Sequence, residues 1–370
     1  MKFETKKEEI TKILKAASQF AVRSNIDSTS CVYMEADNNT LRIETNSLDI
    51  GYKTSMMCNV LKKGEAVLPC MDLLKIVGLM PEGQLLFERK GNVLHISQGK
   101  CKMTLHIPDI KGGFIHPEMK SMDITIRVSE CVLKSMIRDT KNFLVIDKNN
   151  HNFVNCVNMV VSGNTICVNA TDGKRLFTRK ETVQDIIDEE VNISISANDL
   201  LTTSGLMSDA IGTDTGIVEI GVAKNLYSMK FGTTVIIGRI AEIQYPDFSR
   251  IFTDKGGSKI TFQVEPLIGA AQRCEFISSM NGKGLPMVLD IADETRLSIA
   301  SATQSADETI IADEFDGTEE KIGMRPTFLL DVLQVFPEDE ITIQYKDGKS
   351  PLYMESDGYL FVILPVKLSA

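Results

Sequence analysis

At 370 residues the chain exceeds what one ordinary hydrophobic core organises, so two or three domains are expected. With 43% hydrophobic and 24% charged residues the composition is that of a globular protein, and a formal net charge of -10 excludes a protein that holds nucleic acid by overall electrostatic attraction. No apolar run approaches the ~18 residues of a membrane span and no apolar segment follows a basic start, so a cytoplasmic protein without membrane contact is expected.

The chain opens on a strand-like "MKFET", and "KKEEITKILKAASQF" (6–20) then places apolar residues at helical spacing. Short alternating stretches such as "TLRIETNSLDIGYKTSM" follow, then a second helix, "MDLLKIVGLMPEG" (71–83), and a further meander, "QLLFERKGNVLHISQGKCKMTLHI". Pro and Gly interrupt the periodicity at 107–121, which reads as a linker. The same order then begins again. "MDITIRV" leads into "SECVLKSMIRDTKNF" (129–143), with a second helix at "NDLLTTSGLMSDAIG" (198–212) and a meander up to a second linker at 245–257. A third pass runs from "KITFQV" through "EPLIGAAQRCEFISSM" (265–280) and "PTFLLDVLQVFPEDE" (326–340) to the strands of "TIQYKDGKSPLYMESDGYLFVILPV". Leu73, Leu200 and Leu329 recur at intervals of 127 and 129 residues, the mark of an internal triplication. The fold class is therefore α+β, in three repeated domains at 1–121, 122–256 and 257–370, each with two helices and antiparallel sheets. Sheets of this kind leave edges to manage, and three similar domains in a row invite closure by a symmetric partner.

Chemistry is sparse. The eight cysteines (Cys31, Cys58, Cys70, Cys101, Cys131, Cys156, Cys167, Cys274) include no CxxC pair, and the four histidines do not cluster, so buried free thiols and no metal or other cofactor are expected. P-loop, GxSxG, HExxH and dinucleotide fingerprints are absent, and catalysis is not expected. The most informative stretch is "NATDGKRLFT" (169–178). Its Asp-Gly pair suits a hairpin, with Asp172 as an ordinary turn aspartate; the adjacent cations Lys174 and Arg175 leave open that the turn rims a binding site.

"ATDGKRL" (170–176), "YPDFSRIF" (245–252) and the C-terminal "FVILPVKL" (361–368), in this order within a triplicated chain, make the sequence similar to the β sliding clamp family of bacterial DNA polymerase III. The resemblance implies three clamp domains that close head to tail with a second copy into a homodimeric ring. Helices line its hole, and duplex DNA passes through without being read for sequence. Such a clamp does no chemistry; it tethers the polymerase, and also binds clamp loaders and repair proteins through their short linear motifs.

The resemblance assigns a peptide pocket to Thr171, Gly173, Lys174, Arg175 and Leu176, with Val154 from the preceding strand and Pro246, Arg250 and Ile251 from "YPDFSRIF". Phe328, Pro351, Val362, Leu364, Pro365, Val366, Lys367 and Leu368 complete it. In that reading Leu176, Val362 and Leu364 bury the apolar anchors of a peptide bearing Leu, Phe and Gln, while Arg175 and Arg250 orient its polar or acidic groups. DNA contacts are implied for Arg23, Lys148 and Phe153, and the helices offer Lys12, Lys15, Lys75, Lys134, Arg138, Lys141 and Arg273. Exposed helix faces are commonly charged, and a solvated face is the competing reading for each cation. The ring interface implied by the resemblance falls to Met103 and Leu105 on an edge strand and to Phe276 and Ile277 at the matching helix end, with core packing as the alternative. Departures from the family pattern, "RSNIDSTSC" (23–31), Met71 and Asp72, Ala197 and Asn198, thin the basic lining. They imply weaker DNA contact and leave open a divergent, second or phage-type clamp, or a non-encircling scaffold that binds replication proteins.

Overall fold

The structure, a computed structural model, describes residues 1–21, 27–119, 121–146, 152–209, 216–248, 255–280 and 284–368. The chain forms two units, Met1–Lys134 with Val183–Asp185 and Leu201–Ile240, and Ser135–Thr182 with Ile186–Leu200 and Ala241–Ala370.

The first third of the sequence supplies β1 (Lys2–Lys6), α1 (Lys7–Phe20), β2 (Cys31–Asp37), β3 (Thr40–Asn46), β4 (Ile50–Met57), β5 (Asn59–Lys62), β6 (Gly64–Pro69), α2 (Cys70–Leu79), β7 (Gln84–Lys90), β8 (Val93–Gln98) and β9 (Cys101–His106). The next supplies β10 (Ile124–Ser129), α3 (Glu130–Thr140), β11 (Cys156–Thr171), β12 (Arg175–Ser196), α4 (Ala197–Ser204), β13 (Ile217–Val222), β14 (Leu226–Phe231) and β15 (Thr234–Arg239). The last supplies β16 (Ser258–Gln263), α5 (Val264–Met280), β17 (Met287–Ile291), β18 (Glu294–Ala300), β19 (Ser305–Ile311), β20 (Glu314–Asp316), β21 (Glu320–Met324), α6 (Pro326–Leu333), β22 (Glu340–Tyr345), β23 (Leu352–Ser356) and β24 (Tyr359–Ile363).

Apolar periodicity explains the helices. In α1, Ile10, Leu14, Ala17 and Phe20 form one buried stripe, leaving Lys12 and Lys15 exposed opposite it. The second helices end earlier than their apolar patterns suggest. Met80 lies before Pro81 and is extended (φ -67, ψ 153), because the proline ring disfavours helical backbone in the residue ahead of it. Gly205 follows the end of α4, and α6 stops at Leu333, ahead of Pro337. Leu73, Leu200 and Leu329 are each 0% exposed, so the recurring leucine is a core residue in every second helix.

The pairing repeats with the sequence. In each third the opening strand pairs antiparallel with the strand after the second helix: β1 with β7, β10 with β13, β16 with β22. Two meanders are continued by the neighbouring third. In the first unit β15 pairs with β4, making an eight-stranded sheet ordered β10-β13-β14-β15-β4-β3-β2-β6. In the second unit β24 pairs with the start of β12, making a seven-stranded sheet ordered β11-β12-β24-β23-β22-β16-β20. The remaining sheets, β5-β1-β7-β8-β9 and β19-β18-β17-β21, end on β9 and β19, whose outer edges are unpaired among the described residues. Aromatic stacking marks both cores: Phe3 on Phe87 at 4.7 Å in the first unit, and Phe143 on Phe177 at 5.0 Å in the second.

Candidate peptide groove and the cationic helices

Strand alternation builds the site. Along β12, Leu176, Thr178 and Lys180 share one face while Arg175, Phe177 and Arg179 share the other. Register sets Leu176 opposite Val362 of β24, and Val362 opposite Tyr353 of β23. These three side chains form an apolar row against which Phe248 and Leu360 pack. The preceding turn is locked by its own side chains. Asp172 Oδ1 accepts from the amides of Lys174 (2.9 Å) and Arg175 (3.1 Å), Thr171 Oγ1 donates to the Arg175 carbonyl (2.5 Å), and Gly173 takes φ +83, which suits a residue without Cβ.

Two further segments reach this face. Tyr245 packs edge-on between Phe153 (6.2 Å) and Phe248 (5.8 Å), which fixes the "YPDF" segment and its half-buried Pro246. The C-terminal segment is tied at two points: the Leu364 amide donates to the Lys174 carbonyl (2.9 Å) and the Val366 amide to the Gly323 carbonyl (2.7 Å). Gly323 permits this approach, since a Cβ there would lie 2.4 Å from the Val366 oxygen.

Of the expected pocket residues, register and hydrogen bonds bring together Thr171, Gly173, Lys174, Leu176, Val362 and Leu364. Leu176 and Val362 are only 3% and 2% exposed and form the floor, whereas Leu364, 39% exposed, is open to a ligand. Lys174, Lys367 and Leu368 are also exposed, and Pro365, Val366, Pro351 and Val154 are half-buried. Arg175 and Phe328 lie elsewhere than expected. The Arg175 side chain, 9% exposed, binds Asp172 (3.0 Å), Asp331 (2.5 Å) and the Asn142 carbonyl, with its guanidinium 4.4 Å from the Phe328 ring. As β12 alternates, Arg175 points away from Leu176 and spends its donors on Asp172, Asp331 and the Asn142 carbonyl, which ties the turn to the interior. Burial pushes the Asp331 carboxyl above its ordinary range, and Arg175 opposes that shift. Tyr353, Phe248 and Leu360 were not singled out by sequence; only the strand register places them beside Leu176. Arg250 and Ile251 lie outside the described residues.

The cations divide similarly. Lys12, Lys15, Lys75, Arg138 and Lys141 are exposed on α1, α2 and the end of α3 with its following turn. Lys134 is held by Asp209 (2.6 Å) and the Met207 carbonyl (2.8 Å). Arg273 is paired with Glu308 of β19 (2.5 and 2.9 Å). Each of these two keeps an acidic partner in place, as the exposed Arg138 does with Asp139 (3.6 Å). Phe153 packs on Tyr245, near the groove, and Arg23 and Lys148 lie outside the described residues.

One expected interface residue pair lies on a sheet edge and the other on a helix beside one, since Phe276 and Ile277 belong to α5. Met103 and Leu105 are half-buried on β9. Phe276 is 63% exposed beside the nearly buried Ile277 (8%), and both line a depression of about 370 Å³ that reaches Ala306 of β19. Among the described residues no three His, Cys, Asp or Glu side chains are grouped to hold a metal ion, and no helix is long and apolar enough to cross a membrane.

Comparison with known proteins agrees with this architecture. Residues 127–247 match the model of the DNA polymerase III beta subunit central domain, and residues 249–365 that of its C-terminal domain. The beta sliding clamp of Staphylococcus aureus is 25% identical over 315 residues, 84% of this chain and 81% of that one. Among solved structures, the DNA polymerase sliding clamp of Bacillus subtilis superimposes with a TM-score of 0.91 at 20% identity over 100% of both chains. A Pseudomonas aeruginosa sliding clamp bound to griselimycin does so with a TM-score of 0.89 at 18% identity, again over 100% of both.

Proposed function

The chain belongs to the DNA polymerase III β-subunit family and is a DNA sliding clamp, and on that premise we propose that two copies close head to tail around duplex DNA and carry replication and repair proteins at the β12-β23-β24 groove. The supporting observation is the repeated edge. The third strand of one meander meets a neighbouring third's strand at β15–β4 and again at β24–β12. The same positions in the repeat are held by β9 and β19, which among the described residues have no strand partner on their outer sides. Antiparallel pairing of β9 with β19 of a second copy, with Phe276 buried at the seam, uses both edges at once and leaves no open filament. The three domains, 1–121, 122–256 and 257–370, are then six in the ring.

Retention by enclosure accounts for the charge. A ring needs only weak, sequence-independent phosphate contacts, and strong ones oppose sliding. A chain of net charge -10 whose exposed Lys12, Lys15, Lys75, Arg138 and Lys141 lie on or just after helices fits that requirement. The clamp does no chemistry; the tethered enzyme does. The groove suits a short peptide with Leu and Phe anchors, because its floor is apolar and Leu364 and the tied C-terminal segment make an exposed wall.

The test is loading onto nicked circular DNA by a clamp loader. The clamp is expected to stay on the circle in high salt and to leave when the circle is linearised. A non-encircling scaffold gives no salt-resistant complex with either form, and that result defeats the proposal.

A further inference from the structure

Beside the Leu176–Val362–Tyr353 floor lies a cleft of about 470 Å³. Phe248 and Leu360 pack against the floor and also line this cleft, so the two depressions are continuous. The chemistry changes along the way. Thr178 and Lys180, the next residues on the Leu176 face of β12, line the cleft together with Cys167 and Asn169 from β11. Its wall is organised in advance. Asn169 Oδ1 accepts from Thr178 Oγ1 (2.8 Å) and from the Cys167 thiol (3.6 Å), and Asn169 Nδ2 donates to Asn158 Oδ1 (3.0 Å). Asn158 in turn donates to Asn192 (2.7 Å). Such a chain holds its members in place before a ligand arrives.

The charges are uneven. Lys255, on the opposite lip, is committed to a close ion pair with Glu355. Lys180 is exposed and, among the described residues, forms no ion pair. Burial pushes the neighbouring Cys167 thiol up, so it carries no competing negative charge at neutral pH.

We propose that this cleft is a carboxylate subsite, which takes an acidic group on the part of a docked peptide that runs beyond its apolar anchors, with Lys180 as the counter-charge. The inference rests on reading the floor as a peptide groove. The acid is a Asp or Glu side chain or the peptide's own terminal carboxylate, and both present the same chemistry to Lys180. Because Lys180 is exposed, the gain is modest and salt-sensitive.

Fluorescence anisotropy on the full chain tests it with synthetic peptides that share a Leu-Phe anchor. One ends in an amide at the anchor, one is extended by Gly-Asp-Glu-amide, one by Gly-Gly with a free carboxylate, and one by Gly-Lys-Lys-amide. An acidic extension is expected to tighten binding about fivefold at low salt, and the gain falls as salt rises. Comparing the Gly-Asp-Glu and Gly-Gly peptides tells a side-chain from a terminal carboxylate. Lys180→Glu is expected to remove the gain and favour the Gly-Lys-Lys peptide, while binding of the anchor-only peptide stays unchanged. Equal affinity for the acidic and lysine extensions, or a gain that survives Lys180→Glu, overturns the subsite. If the anchor-only peptide itself fails to bind, the groove reading fails first and this inference falls with it.

Discussion

Arg175→Ala separates two roles that a cation beside a binding groove can have. In the native chain its guanidinium is 3.0 Å from Asp172, 2.5 Å from Asp331 and 4.4 Å from the Phe328 ring, and also binds the Asn142 carbonyl. A charge-assisted hydrogen bond contributes about 1.5–3 kcal/mol, but bonds within one network do not add. The controlling quantity is the charge left behind, and removing one partner of a buried pair costs about 3–5 kcal/mol. Arg175→Ala should therefore lower unfolding free energy by that amount in urea titrations followed by circular dichroism. The pH dependence follows from Asp331, whose folded carboxyl is held above its ordinary range by burial with Arg175 opposing. A carboxyl raised on folding contributes stability below its unfolded value and loses it as pH rises through the folded one. Without Arg175 that rise is larger, so the deficit at about pH 7.5 should exceed the deficit at about pH 5. Adding Asp331→Asn should restore part of the loss by removing the stranded charge. A deficit under about 1 kcal/mol, or one equal at the two pH values, refutes the assignment of Arg175 to the interior and returns it to the ligand.

Two further substitutions probe the tail and the edge. Gly323→Ala places a methyl 2.4 Å from the Val366 oxygen and 2.8 Å from Leu368 Cδ2. It should unseat the C-terminal segment and weaken Leu-Phe peptide binding about tenfold, the equivalent of one lost hydrogen bond with its contacts, while the mass in solution stays the same. Unchanged affinity would show that the segment forms no part of the groove. Phe276, 63% exposed on α5, should matter only to assembly. Light scattering should give about twice the 41.0 kDa chain mass for the native protein and the single-chain mass for Phe276→Asp, with an unaltered far-ultraviolet spectrum. A dimer that survives the substitution puts the seam somewhere else.

Local patterning carried a great deal. The 3.6-residue spacing of Ile10, Leu14, Ala17 and Phe20 is enough to propose α1 and its buried stripe, and the recurrence of Leu73, Leu200 and Leu329 reveals the triplication, because both depend on neighbours along the chain. Helix ends were less legible. Apolar residues continue past Leu79 and Leu333, and whether they stay helical depends on proline restrictions and on tertiary packing. The groove was half legible. "ATDGKRL" announces a turn and an apolar strand, but Tyr353 enters only through its register opposite Val362.

The division between Arg175 and Leu176 is the clearest case. Composition and periodicity determined that this protein is a triplicated α+β chain of negative charge whose cations are local, and strand alternation determined that neighbours in β12 point to opposite sides. Which side holds the groove was decided only when folding brought Asp331, 156 positions away, against the guanidinium and Val362 against the leucine. An ion pair between residues so distant leaves no periodic trace in a sequence, because its partners meet through sheet register and helix packing, not through spacing along the backbone.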